Sequence, residues 1–477
     1  MHRDFLRIFM KIKHLALAGL LASTCQFTLA QDVASSSEPP SSAAQQLYAT
    51  AQYDLLQLRV LLKNGDSQSS VGSGFLIGTS NLVVTNYHVV SQIALEPETY
   101  LGQYKTTDGN SGSIELLAVD VLHDLAVVRV DRRGSGFFHI PPQGDLAKLD
   151  QGERLYSLGN PLDLGFTITE GTYNGISSRG FSDQLMFTGP VNPGMSGGPN
   201  ITASGELAGV NVAHRRDGEL VSFLVPASYV QALLAKVSED MVPPKDFEPI
   251  IGEQLLQHQT IMVDKLLEKP FTLKRLGSYQ VPVRESDQVR CWGGSNNSNK
   301  GYSSASIHCS MESEIFVSGD LQTGHITLRH KYLHSKKLNA MQFSRLVSSE
   351  FGSQVYSTAK SDTITPAACY ESFVRTNQLP VRALVCSEAY HQFPGLYDFT
   401  LITASTDDPA KNLQSMINIL GVSFDNGVRL AEAFLAGLDK APTTAPLDEA
   451  VPLDDAATEE PPGQTPDPDQ NAREVLP

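Results

Sequence analysis

From Leu55 to about Val237 the chain alternates short β-branched runs with turns of Gly, Asn and Asp, and this limits the region to an all-β architecture. The runs are Leu58–Leu62, Gly74–Ile77, Leu82–Thr85, Ile114–Val119, Ala126–Val130, Arg154–Leu158, Thr167–Ile176, Gln184–Phe187, Leu207–Val212 and Ser222–Val225. Strands this short and closely spaced predict a barrel or sandwich. Pro243-Pro244 ends the pattern. Beyond it a helix is expected over Glu248–Leu267, then a strand-rich block with helices near Leu338–Phe351, Pro409–Leu420 and Asn426–Leu438, an α+β domain with a mainly antiparallel sheet.

With 477 residues the chain has room for two or three domains. Residues 1–30 carry Arg3, Arg7, Lys11 and Lys13, an apolar run Leu15–Leu21 and small residues ending at Ala30, which predicts a cleaved secretory signal peptide. Met10 is an alternative start, and Ala22-Ser23-Thr24 is a poor lipidation box for Cys25. The apolar run is too short for a membrane anchor, which needs about 20 residues, so no stable membrane insertion is expected. Residues 31–50 read as a linker with a short helix through Gln45–Tyr53, 51–240 as the β domain and 245–440 as the α+β domain. Residues 441–477 form a Pro-rich tail whose acids hold half of the net charge of −16, and this composition predicts disorder. The acidic balance excludes nucleic acid as a partner.

Without Cys25, the remaining cysteines are Cys291, Cys309, Cys369 and Cys386. An even number in an exported chain predicts disulfides, and a metal site is disfavoured because no Cys-x-x-Cys occurs. Three connectivities are open, of which the sequence-local one, Cys291–Cys309 with Cys369–Cys386, is simplest.

The strongest chemical signal is Asn192-Pro193-Gly194-Met195-Ser196-Gly197-Gly198-Pro199. A serine hydroxyl needs a base to take its proton, and the oxyanion formed on attack needs backbone N–H donors, which flanking glycines let the chain turn inward. Alone, the segment could be a Gly/Pro-rich turn. His88, after the run Leu82–Thr85, supplies a base, and Asp124, at the head of Leu125-Ala126-Val127-Val128, supplies a carboxylate to orient it.

Together these segments resemble a trypsin-like (chymotrypsin-fold) serine peptidase, closest to the bacterial HtrA-like branch. The resemblance spans about Val71 to Val230 and rests on Gly72–Gly78, Thr85–Val90, Asp124–Val127, Leu158–Pro161, Asn192–Pro199 and Gly205–Asn211. It implies a double antiparallel β-barrel with the site between the barrels. It also implies Ser196 as nucleophile, His88 as general base and acid, Asp124 as its orienting partner, and the amides of Gly194 and Ser196 as oxyanion hole. Asp120 and His123 are set aside, because Asp124 alone precedes the strand as the family pattern requires. By position, Thr188, Gly189, Pro190, Asn211, Val212, Ala213 and Phe223 should line the primary pocket. None is a carboxylate, so a small or medium apolar residue is the expected preference.

Met195 departs from the family, whose members usually carry Asn or Asp there, so activation by a new N-terminal amine is not available. No PDZ-type loop is recognisable after the peptidase region. Gly72, Gly74 and Gly78 lack the spacing and following helix of a dinucleotide loop. His325, His330 and His334 lack a metalloprotease glutamate and read as surface or core residues, and Trp292 as a core residue beside Cys291. The expectation is thus an exported serine endopeptidase, periplasmic or secreted, acting on proteins or peptides without cofactor or metal. The alternative is an inactive peptidase-fold scaffold whose C-terminal domain carries the function. Oligomeric state is not legible.

Overall fold

The computed structural model describes residues 41–65, 67–141, 149–214, 221–297, 301–352 and 362–442. The expected leader, and the acidic tail apart from residues 441–442, lie outside them. Helix α1 (Ser42–Ala51) leads into a seven-stranded antiparallel sheet: β1 (Leu55–Leu62), β2 (Gln68–Leu76), β3 (Leu82–Thr85), β4 (Tyr100–Thr106), β5 (Ser111–Ser113), β6 (Glu115–Asp120) and β7 (Leu125–Arg129). Its spatial order is β5-β4-β1-β2-β3-β7-β6. The edge strands β5 and β6 are joined through Ile114 alone, so the sheet must curl until its two edges approach. Helix α2 (Tyr87–Leu95) follows β3 directly.

Successive residues of these strands serve different cores, as the two-residue period of a strand requires. Leu56, Val83 and Val128 join one apolar cluster, whereas their neighbours Leu55, Val84 and Val127 join another. Burial on both faces explains why β1 and β7 read as nearly unbroken apolar runs.

The second unit is a closed six-stranded barrel in the order β10-β13-β12-β11-β8-β9. It consists of β8 (Arg154–Gly159), β9 (Thr167–Ser177), β10 (Gln184–Thr188), β11 (Pro199–Thr202), β12 (Leu207–His214) and β13 (Ser222–Pro226), and helix α3 (Ala227–Leu234) closes the region.

The C-terminal region opens with α4 (Glu248–Leu267), β14 (Thr272–Leu276) and β15 (Tyr279–Val283). Strands β16 (Val289–Asn297), β17 (Tyr302–Met311) and β20 (His325–Ser335) enclose the small hairpin β18 (Ile315–Ser318) and β19 (Leu321–Thr323). After α5 (Ala340–Gly352) come β21 (Ala368–Thr376), β22 (Leu379–Ala389), β23 (Tyr397–Ser405), β24 (Lys411–Val422), α6 (Phe424–Ala436) and β25 (Asp439–Lys440). The large sheet runs β16-β17-β20-β24-β23-β22-β21, all antiparallel.

The helix expected over Pro409–Leu420 is instead strand β24. It is flanked by β20 and β23 and buried along most of its length, so its residues lack the polar alternation that marks a half-exposed strand. Trp292 is also corrected: it lies on edge strand β16 and is 48% exposed. The expectation of a separate C-terminal domain needs qualifying. Phe247, Ile251, Leu255, Ile315, Val317, Leu321 and Phe393 belong to the same apolar cluster as Leu56, Val83 and helix α2.

Cys291 faces Cys309 across β16 and β17, and Cys369 faces Cys386 across β21 and β22, and both pairs are disulfides. Among the described residues no helix is long and apolar enough to cross a membrane.

Candidate active site

His88 stands in the first turn of α2, after Asn86 in extended geometry as N-cap. Asp124 sits just before β7 with φ 52°, the left-handed region that costs a non-glycine residue on the order of 1 kcal/mol or more. Its carbonyl accepts from Asn86 Nδ2 at 2.8 Å and from the Tyr87 amide at 3.2 Å, which over-determines that conformation. Its carboxylate grips His88 twice. Oδ1 accepts the His88 backbone N–H at 2.9 Å, and Oδ2 lies 2.7 Å from ring Nδ1. With Nδ1 as donor, the neutral ring carries its free lone pair on Nε2.

Burial of the His88 ring disfavours its charged form, but the charge of Asp124 and its hydrogen bond outweigh that effect, and the pKa stands above the ordinary 6.5.

Ser196 lies in the turn between β10 and β11. Gly194 and Gly197 have φ of +91° and +83°, and a Cβ on them would fall 2.4 Å from the Asn160 carbonyl and 2.2 Å from that of Ser73. Only glycine fits either position. Met195 points away into the apolar interior of the barrel with Leu155, Phe187 and Leu224, fully buried. Strand β2 fastens the turn, since the Ser73 amide donates to the Ser196 carbonyl at 2.8 Å and Ser73 Oγ donates to the Gly194 carbonyl at 2.7 Å.

Gly72 is where the two halves of the site meet. A Cβ there would lie 2.5 Å from Val89, next to His88, and 3.1 Å from the Ser196 carbonyl. Ser196 is partly exposed, and its Oγ donates to the Val212 carbonyl at 2.9 Å. Among the described residues neither the Gly194 nor the Ser196 amide donates to a protein acceptor.

The residues expected to line the primary pocket divide. Thr188 and Pro190 are exposed and Gly189 is buried. The Thr188 hydroxyl accepts from Asn174 Nδ2, the Gly189 carbonyl from Ser222 Oγ at 2.9 Å, and the Pro190 carbonyl from Thr169 Oγ1 at 3.0 Å. The Val212 carbonyl accepts from Ser196 Oγ. Asn211 is a tie rather than a wall: fully buried, it accepts from Ser157 Oγ at 2.8 Å and donates to the Leu158 carbonyl at 3.0 Å. The Ala213 backbone pairs with Phe223, and its side chain lies outside the described residues. Phe223 faces a cavity shared with the C-terminal region.

Asp120 and His123 form a pair of their own, with Nδ1 2.7 Å from Oδ2 and the ring stacked on Tyr229 at 3.8 Å. His325, His330 and His334 do not converge, and no group of three or more His, Cys, Asp or Glu suited to a metal occurs among the described residues. His330 is buried, 2.8 Å from Ser415 Oγ and 2.7 Å from the Pro282 carbonyl.

One contact has no signal in the sequence. The tip of β18 reaches the site, with the Phe316 ring edge-on to His88 at 6.1 Å and the Tyr87 hydroxyl donating to the Val317 carbonyl at 2.8 Å, across 230 residues of chain.

Residues 72–210 match the trypsin-like peptidase domain family. A Synechocystis protein named as a serine protease, HhoA, is 31% identical over 193 residues, 39% of this chain and 46% of the relative. A Bartonella henselae protein named as a periplasmic serine endoprotease, DegP-like, is 32% identical over 178 residues, 35% of this chain and 33% of its own length. The chain thus spans less than half the length of these relatives. The solved serine endoprotease from Yersinia pestis aligns over 43% of this chain and 69% of its own, at 23% identity and a TM-score of 0.36, a likeness too slight to build on.

Proposed function

We propose, from the premise that residues 72–210 are a trypsin-like peptidase domain of the HtrA type, that the chain is an exported serine endopeptidase acting through Ser196, His88 and Asp124. The observation that carries this reading is the doubly gripped His88–Asp124 pair, which meets the Ser196 turn at Gly72.

Once its hydroxyl turns from Val212, Ser196 Oγ attacks the scissile carbonyl while His88 Nε2 takes its proton. Asp124 keeps the proton on Nδ1 and stabilises the imidazolium. The substrate oxygen, now negative, is received by the free amides of Gly194 and Ser196. His88 then returns its proton to the leaving amine, and the acyl-enzyme is hydrolysed by water with the same base. Buried Met195 anchors the turn through packing instead of an ion pair, which suits a site preformed without processing of an N-terminus. Two disulfides in the C-terminal region suit an oxidising compartment, and the DegP-like relative's name places that protein in the periplasm.

A fluorophosphonate probe tests the reading. Labelling of the wild-type chain that vanishes in Ser196→Ala is expected. Absence of labelling under all conditions would replace the peptidase by the scaffold reading.

A further inference from the structure

A cavity of about 490 Å³ lies between the second barrel and the C-terminal region. The β9–β10 turn and Phe223 form one side, and α4, β16 and residues 312–315 form the other. Phe181, Met186, Phe223, Trp292 and Ile315 supply apolar wall, interspersed with serines, Gln184 and charged side chains.

Within these walls the ring of His258 opens onto the cavity. His258 is 9% exposed and faces the cavity, yet neither ring nitrogen has a hydrogen-bond partner among the described residues, its contact being an edge-on ring packing with Phe181 at 5.3 Å. Burial, with a smaller contribution from His123, pushes its pKa down to about 4, so at neutral pH it offers one donor and one acceptor without charge. Its ring nitrogens are not closed off by packing, so a ligand amide can take the place of water there.

The rim sets the charge of that ligand. Glu312 is held between Arg179 at 3.5 Å and Arg290 at 2.8 Å, and Glu314, which makes no ion pair among the described residues, adds a second carboxylate. An anionic ligand is disfavoured. The cavity also continues towards the reaction centre. Leu122, Gln184, Glu314 and Ile315 line it and also a second space of about 170 Å³, whose other walls include Asp124, Val212 and Phe316.

We propose that this cavity is an exosite for an uncharged, apolar stretch of the polypeptide substrate, so that the C-terminal region helps select what the triad cleaves. His258 hydrogen-bonds a main-chain amide of that stretch, and the aromatic walls take its side chains. The inference rests on the peptidase reading for the identity of its ligand, but binding can be measured without turnover.

Trp292 is the only tryptophan in the chain and lines the cavity, so its fluorescence reports occupancy. In full-length Ser196→Ala, an end-blocked Val-Leu-Phe-Val peptide should shift Trp292 emission saturably. The analogue with Glu for Leu should bind about 10-fold or more weakly, because a carboxylate would be desolvated beside Glu314. His258→Leu should weaken the apolar peptide by roughly 5-fold, the loss of one hydrogen bond. Wild-type enzyme should cleave substrates carrying the apolar stretch with higher kcat/KM than matched Gly/Ser substrates. No emission shift, or equal binding of the acidic analogue, overturns the site. Turnover indifferent to the apolar stretch overturns its role as an exosite. Binding without any wild-type turnover would support a polypeptide site while sinking the peptidase reading.

Discussion

Two regions of the peptidase portion carry the same pair of groups in the same geometry. In both His88–Asp124 and His123–Asp120 the ring Nδ1 lies 2.7 Å from a carboxylate oxygen, and the histidine's own amide donates to the other oxygen. What differs is the far side of the ring. His88 adjoins the residues that meet the Ser196 turn, whereas His123 is covered by the Tyr229 ring at 3.8 Å. A His–Asp pair is therefore only half of a catalytic device; under the proposed reading the other half is the Ser196 turn, which meets the His88 segment at Gly72.

The sharpest way to break this comparison is to remove each ring. Ser196→Ala and His88→Ala should each lower kcat by about 10⁴-fold or more, with the fold intact by circular dichroism. His123→Ala should stay within about 3-fold, since a residue off the reaction path contributes only through structure. Comparable losses at the two histidines would mean that the geometry of the pair alone does not identify the catalytic one.

Removing each carboxylate adds a pH signature. Asp124→Asn should cost up to about 10⁴-fold in kcat, because the wrong tautomer becomes available. The charge and hydrogen bond of Asp124 oppose the effect of burial and hold the His88 pKa above 6.5. A general base works when neutral, so wild-type kcat/KM should rise with pH through a limb above 6.5. Asp124→Asn should move that limb to lower pH, and Asp120→Asn should leave it in place. A limb that follows Asp120 instead would reverse the assignment.

The two His–Asp pairs are separable in the sequence, because Asp124 and not Asp120 stands at the head of the strand Leu125–Arg129. His88, Asp124 and Ser196 lie in short motifs whose spacing reflects local needs, such as glycine at the positive φ of Gly194 and Gly197, or a strand starting at Leu125. The strands of the first sheet and of the barrel carry a period of two wherever one face meets solvent. Strand β24 does not, because neighbours on both sides and burial on both faces remove the alternation, leaving an apolar pattern that a helix would also show. Nor could motifs show that Asn211 turns inward to tie Ser157 and Leu158 together, or that Trp292 remains exposed on an edge strand. Long-range packing decides such matters, and Phe316 beside His88 is its extreme case.

A smaller effect separates the peptidase portion from the C-terminal region. Each disulfide joins directly opposed residues of neighbouring strands, with sequence separations of 18 and 17. Loops of that size are worth about 3 kcal/mol each in the unfolded-chain account. Reduction should therefore lower the denaturant midpoint for unfolding of the C-terminal region. Because Ile315 and Val317 share a core with Leu56 and Val83, the effect should reach the first sheet in weakened form. Unchanged unfolding on reduction would show that strand pairing alone holds β16–β17 and β21–β22.

The smallest expected effect tests whether the C-terminal hairpin bears on one His–Asp pair more than the other. The Tyr87 hydroxyl is buried and donates to the Val317 carbonyl, and burial, reinforced by Asp124, raises its pKa well above the usual tyrosine value, so it remains a donor at any working pH. Tyr87→Phe leaves that carbonyl without its partner at a cost of about 1 kcal/mol. The lost bond also frees the hairpin that sets Phe316 against His88. If the hairpin positions the imidazole, kcat should fall by roughly 3- to 10-fold with KM for a short chromogenic substrate unchanged, since ground-state contacts of so small a substrate are untouched. Tyr229→Phe keeps the ring that covers His123 and removes only its hydroxyl, which accepts from the Asp183 amide, so it should leave kcat as it is. Equal kcat in Tyr87→Phe and wild type would reduce the hairpin to a stabilising contact.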